Sequence, residues 1–307
     1  MLVTLAIVKD YLRSWYDAVF RKGYFACIVC MLALVISLNY THSLLRPAGW
    51  WPGFLFTYLL YLLPFAFAYL LQWFYFEEDR SLFYKKGFWI LLLLAPALFA
   101  VRTNFSFQET WFKTIVHSGN SRYLLSLINY IARIIVLLLP VIFIWYIKDK
   151  KEYPLYGFTK SSNNKIYWLL LAFMIPLVML AASTPDFLKA YPKAITNADL
   201  HPGDSTGRFL LFELVYGMDF LSIEFFFRGF LIITFIKYCG MRAIIPAACF
   251  YCCIHLGKPM AEAISSFFGG LLLGIISYNT LSIWGGLLIH VGIAWMMEIA
   301  AYVGHHF

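Results

Sequence analysis

Residues 123–147 read YLLSLINYIARIIVLLLPVIFIWYI, with Arg133 as their single charge, and run into the block Lys148-Asp149-Lys150-Lys151. A helix needs about 20 apolar residues to cross the hydrocarbon core of a bilayer. This stretch is long enough, and it ends on basic residues of the kind that stay on the cytoplasmic face. Its apolar residues are consecutive and do not alternate, so it is a spanning helix and not a barrel strand. Similar blocks recur at about 24–40, 53–76, 87–101, 166–184, 209–236, 242–255, 261–278 and 282–302.

The whole chain agrees. Of its 307 residues 62% are hydrophobic and only 13% are charged, against roughly 25% charged in an ordinary soluble domain. A single soluble domain, a secreted disulfide scaffold and a disordered chain are excluded, because none of them can be built without a polar shell. The expected fold is all-α, a polytopic transmembrane helical bundle of eight or nine spans. The third, seventh and eighth blocks are short, which suggests tilting, kinking or partial re-entry.

The net charge of +8 fits loops that sit beside anionic lipid. No stretch combines Lys/Arg density with a base-reading fold, so membrane lipids and not nucleic acid are the expected partners. With the N-terminus inside, the cytoplasmic face holds Lys9, Arg13, Arg21 and Lys22. Arg80, Lys85 and Lys86 follow, then the group from Lys148 to Lys165 that includes Lys160, and then Lys237 and Arg242. The outer face holds fewer, among them Arg46, Lys113 and Lys258. The expected placement is a multi-pass protein of a bacterial plasma membrane with a cytoplasmic N-terminus. Residues 1–22 mix apolar residues with Lys and Arg, as an interfacial helix does, and lack the order of a secretory signal.

Cys27 and Cys30, and Cys249 and Cys252, have C-x-x-C spacing. Inside apolar runs they read as small packing residues and not as zinc ligands. The longest polar stretch, Ser183 to Arg208, has turn signals at Pro185-Asp186 and Pro202-Gly203-Asp204. It divides an N-terminal transmembrane region of unassigned role, 1–205, from a C-terminal region, 206–307, that carries intramembrane acids.

Ionisable groups inside a bilayer cost a few kcal/mol on insertion scales, about 3 at the midplane, and mark functional sites. The 209–236 block holds Glu213, Asp219, Glu224 and Arg228. On an ideal helix Glu213 and Glu224 fall about 20° apart and Glu224 and Arg228 about 40° apart, so the three share a face. His255 ends the seventh block, Glu262 opens the eighth, and His290 and Glu298 lie in the ninth. At about 1.5 Å per residue, Glu224, His255 and His290 lie roughly 18, 20 and 12 Å from one membrane face. Three titratable groups from three helices therefore lie at similar depth. Small residues at i+4, Ser266, Gly270 and Gly274 and then Gly286 and Ala294 around His290, allow close helix approach.

One carboxylate and two imidazoles can activate water. Glu224 would act as the base, and His255 and His290 would orient the water, protonate the leaving amine or stabilise an oxyanion. Arg228 is placed to orient Glu224. The same three side chains could instead hold a divalent metal such as zinc, with water as a fourth ligand. There is no H-E-x-x-H and no G-x-S-x-G.

The C-terminal third resembles the CAAX protease and bacteriocin-processing family of intramembrane endopeptidases. The family's E-E-x-x-x-R motif reads Ile223-Glu224-Phe225-Phe226-Phe227-Arg228. Its F-x-x-x-H reads Tyr251-Cys252-Cys253-Ile254-His255, and its H-x-x-x-N reads His290-Val291-Gly292-Ile293-Ala294. The likeness covers about residues 205–303. It implies hydrolysis of a peptide or membrane-protein substrate, by a metalloprotease or a metal-free route. Three motif residues depart: Tyr251 replaces Phe, a mild change, Ile223 replaces the first Glu, often taken in the family as the base, and Ala294 replaces the Asn that helps bind the oxyanion. Asp219 and Glu262 are the candidates to compensate. The rival functions are a catalytically inactive membrane scaffold of the same fold and a proton-coupled transporter.

Overall fold

A computed structural model describes residues 2–42, 47–107, 121–159, 165–201 and 203–305. Arg46, Lys113, Lys160 and Pro202 lie outside the described residues. The fold is all-α, and no strand occurs among those residues. The longer helices are α1 (Leu2–Val19), α2 (Lys22–His42), α3 (Trp50–Leu70), α4 (Lys86–Asn104), α5 (Ser121–Ile144) and α6 (Lys165–Ala182). They are followed by α7 (Pro185–Ala190), α8 (Thr206–Glu224), α9 (Thr234–Cys239), α10 (Ile244–Cys253), α11 (Met260–Thr280) and α12 (Trp284–Gly304).

Among the described residues seven helices are long and apolar enough to cross a membrane, against nine blocks and eight or nine spans read from sequence. The difference has a physical cause. The seventh block forms only the 10-residue α10, about 15 Å of helix. The sixth block is not one α-helix: a π-helical segment, Phe225–Ile233, joins α8 to α9. The third and eighth blocks form full-length helices of 19 and 21 residues.

Pro64, Pro96, Pro140 and Pro176 lie inside α3, α4, α5 and α6. Membrane helices tolerate such residues because neighbouring groups satisfy the freed carbonyls. Large apolar side chains on these helices face outward, Leu63, Leu139, Phe173 and Leu180 among them, as expected of lipid-facing surface. α1 buries Trp15 and Val19 in the core and packs against α11.

The core is aromatic and crosses the expected boundary at residue 205. Phe65 of α3 and Phe99 of α4 meet Phe250 of α10 at 5.5 and 5.8 Å between ring centroids. Phe226 and Phe227 of the π segment reach Phe99 at 5.1 and 5.3 Å. α10 and α11 run antiparallel at close range: Cys252 Sγ lies 3.2 Å from the Ala263 carbonyl. A Cβ on Gly270 would stand 3.3 Å from Ala248 Cα, and one on Gly274 would stand 3.0 Å from Ile244 Cγ2. The Ser266, Gly270, Gly274 stripe is therefore a packing face. All six cysteines are free thiols, four of them buried, as expected of packing residues.

A buried ion pair also joins the two regions. Arg102 of α4 donates two bonds from Nη2 to Asp219 of α8, at 2.6 and 2.7 Å. Removing one member strands the other's charge, at a cost of about 3–5 kcal/mol. Arg102→Met should destabilise the detergent-solubilised protein by that order in thermal or denaturant unfolding. The double variant Arg102→Met/Asp219→Leu, which strands no charge, should recover most of the loss.

Candidate active site

Glu224 closes α8 at the point where the helix widens into its π segment. π turns are rare and often mark functional sites. Arg228 lies within the wide turn, with Nε 3.4 Å from Glu224 Oε2. The two are paired by charge and not by a hydrogen bond, since Glu224 Oε2 and Arg228 Nε have no hydrogen-bond partner among the described residues. The other carboxylate oxygen, Oε1, accepts from His290 Nδ1 at 2.9 Å. Glu224 is 0% exposed.

This close fit depends on a glycine. Gly286 lies one turn before His290 on α12, and a Cβ there would collide with Glu224 Oε2. The small residue beside His290 thus makes room for the carboxylate. The meeting of α8 and α12 at this depth is the convergence that the residue spacing anticipated.

His290 and His255 both line a cavity of about 340 Å³, together with Tyr251 and Ala294. α6, α11 and α12 supply most of the wall, through apolar side chains such as Phe173, Leu177, Phe268 and Ile293. His255 turns its Nδ1 to the carbonyl of Tyr251, 2.8 Å away and one turn back. That bond places the proton on Nδ1 and leaves Nε2 as the acceptor. The Tyr251 ring lies between the two imidazoles, with centroids 4.6 Å from His255 and 6.0 Å from His290. Phe220 packs on the other side of His290 at 4.3 Å. Glu224 is not part of the cavity wall; it stands behind His290.

Neither compensating acid is available for the missing first Glu. Asp219 is committed to Arg102. Glu262 pairs with Lys258 Nζ at 2.7 Å and accepts from Tyr191 Oη at 2.9 Å. In the turn between α10 and α11, burial disfavours the Lys258 charge, but Glu262 and Tyr191 outweigh it and raise the pKa. Ile223 itself is buried in the hydrophobic core. Glu213 does not join Glu224 either, although an ideal helix puts both on one face. It lines a second cavity with Glu298, near the outer part of α12. Glu298 accepts the backbone N–H of Lys193 and Ala194 at 2.7 and 3.3 Å, capping a short helical turn.

The donor set does not fit a metal. The Arg228 cation sits against the free oxygen of Glu224, and the other oxygen is taken by His290. Among the described residues no group of three His, Cys, Asp or Glu side chains is arranged to hold an ion.

Residues 207–296 match the Rce1-like family of type II CAAX prenyl endopeptidases. The matched segment contains Glu224, Arg228, Tyr251, His255 and His290, so the resemblance read from the motifs and the family match fall on the same helices. The C-terminal region is thus similar to a CAAX protease-type membrane domain. No curated protein and no solved structure matches the chain.

Tyr251 is the site residue that the motif reading passed over. Its signal was present: a hydroxyl-bearing ring stands where the motif has Phe, one turn before His255. Gly286→Ala should lower stability by about 1–3 kcal/mol through overpacking. Gly269 has nothing within 4 Å of an added Cβ, so Gly269→Ala should be neutral or gain up to about 1 kcal/mol from helix propensity. Paired thermal melts in detergent would check both.

Proposed function

We propose that this chain is an intramembrane endopeptidase in which His290, oriented by Glu224, activates water against a peptide bond. The observation that carries this reading is the 2.9 Å contact between His290 Nδ1 and a fully buried carboxylate, with the imidazole forming part of a cavity wall. A carboxylate on Nδ1 fixes the tautomer and supports the imidazolium that forms during reaction, as in other hydrolytic sites. This changes the role expected for Glu224 from base to orienter, because it stands behind the imidazole and not at the cavity.

The steps follow from that geometry. Nε2 of His290 takes a proton from water as the water oxygen bonds to the scissile carbonyl carbon. The carbonyl π electrons move onto oxygen. The imidazolium then returns the proton to the amine nitrogen as the C–N bond breaks. His255 Nε2 orients the water by accepting its second O–H. Arg228 balances the charge of Glu224 when His290 is neutral. No metal enters any step. The substrate is a peptide or membrane protein held in a bacterial plasma membrane, with the enzyme's N-terminus cytoplasmic.

A second reading has its own observation. Ile223 is buried in the core and Ala294 is an apolar residue of the cavity wall, so two motif positions are without polar chemistry. That favours a membrane scaffold that kept the fold.

One experiment separates them. Purified protein in lipid nanodiscs is given a membrane-peptide library, and new termini are read by mass spectrometry. General acid–base catalysis contributes about 10²–10⁴-fold. Glu224→Gln and His290→Ala should therefore reduce the rate of new termini by at least 10²-fold while each variant still inserts and melts cooperatively, at a lower temperature for Glu224→Gln because Arg228 loses its counter-charge. If wild type and both variants give the same background termini, the scaffold reading stands. Elemental analysis of the active protein should find zinc well below one equivalent; stoichiometric zinc would overturn the metal-free mechanism.

A further inference from the structure

Tyr251 places a hydroxyl in the wall of the cavity beside the reacting imidazole. Its Oη lies 3.3 Å from His290 Nε2 and 3.4 Å from Nδ1. An oxygen nearly equidistant from both ring nitrogens lies outside the lone-pair direction of either, and 3.3 Å is long for an O–H donor, whose usual range is about 2.5–3.0 Å. The hydroxyl therefore has no well-directed acceptor among the described residues. Burying a hydroxyl without a good bond has a cost of about 1–3 kcal/mol, which a phenylalanine would avoid.

One neighbour favours donation from this hydroxyl to a developing negative charge. The Arg228 guanidinium lies over the Tyr251 ring, 4.4 Å from its centroid, and a cation on the π face draws electron density from the phenol. His255 and Phe227 pack against the same ring at 4.6 and 5.0 Å, fixing its direction. Lys258, a cationic side chain of the cavity wall, is held by Glu262.

We propose that the Tyr251 hydroxyl is the hydrogen-bond donor for the oxyanion formed in peptide hydrolysis, an assignment that rests on the hydrolytic reading above. In the resting site the phenol O–H lies beside the imidazole without a well-directed acceptor. It is therefore free when Nε2 takes the proton from water and the carbonyl oxygen gains its charge, and it turns to that oxygen. The phenol keeps its proton throughout, so the balance of the reaction is unchanged. Donors aimed at a developing charge lower the barrier more than they strengthen substrate binding.

The test uses the nanodisc peptide library and follows one His290-dependent cleavage. Tyr251→Phe should lower kcat by about 10²–10³-fold, the loss typical of one oxyanion donor. KM should hold, the melting curve should hold or move up, and the acid limb of the pH profile should stay in place. Ala294 is buried one turn after His290 and lines the same cavity. Tyr251→Phe/Ala294→Asn places an amide donor there and should recover at least tenfold. If Tyr251→Phe keeps kcat within about twofold, shifts the acid limb, or gains nothing from Ala294→Asn, the assignment is overturned. If the wild type yields no His290-dependent termini, the hydrolytic reading falls and takes this assignment with it.

Discussion

A carboxylate with no exposed surface, inside a chain that crosses a bilayer, survives only if its charge is balanced at short range. Glu224 meets that demand with two partners. Arg228 lies beside one oxygen, and His290 donates to the other. Each partner constrains the fold. The imidazole brings α12 to α8, and the approach is so close that position 286 must lack a side chain. The arginine must stay within one widened turn of the carboxylate, with its guanidinium covered by Tyr251. Helix spacing, the glycine and the aromatic cover all follow from one buried negative charge.

The N-terminal region then supports this arrangement. Asp219, one and a half turns before Glu224, is neutralised by Arg102 of α4. Phe65 and Phe99 close on the π segment and α10 from the same side. The family match begins at residue 207, yet the core that holds the matched helices is built in part from helices before it.

The fold class was readable because it needed only block length and charge density. The meeting of Glu224 and His290 was readable because depth along a helix is fixed by residue count. Three features were not. Arg102 and Asp219 lie 117 residues apart, and no local pattern pairs them. The π segment inserts extra residues per turn without a sequence mark beyond the residues that any apolar helix uses. Glu213 shares an ideal-helix face with Glu224, but the neighbour that covers each turn of that face is set by tertiary packing. The short α10 was visible as a short block; that it could pack against a full-length α11 depended on the glycine stripe facing it.

The cavity's wall includes Phe173 and Phe268, both of which also lie on the outer apolar surface. Side chains in that position share the hydrocarbon environment of the surrounding lipid. Under the proposed function, a substrate that passed between them would arrive by sideways diffusion in two dimensions. Occupancy would then follow the number of candidates per unit area of membrane, and a peptide dissolved in water, however abundant, would count only after it had partitioned into the lipid.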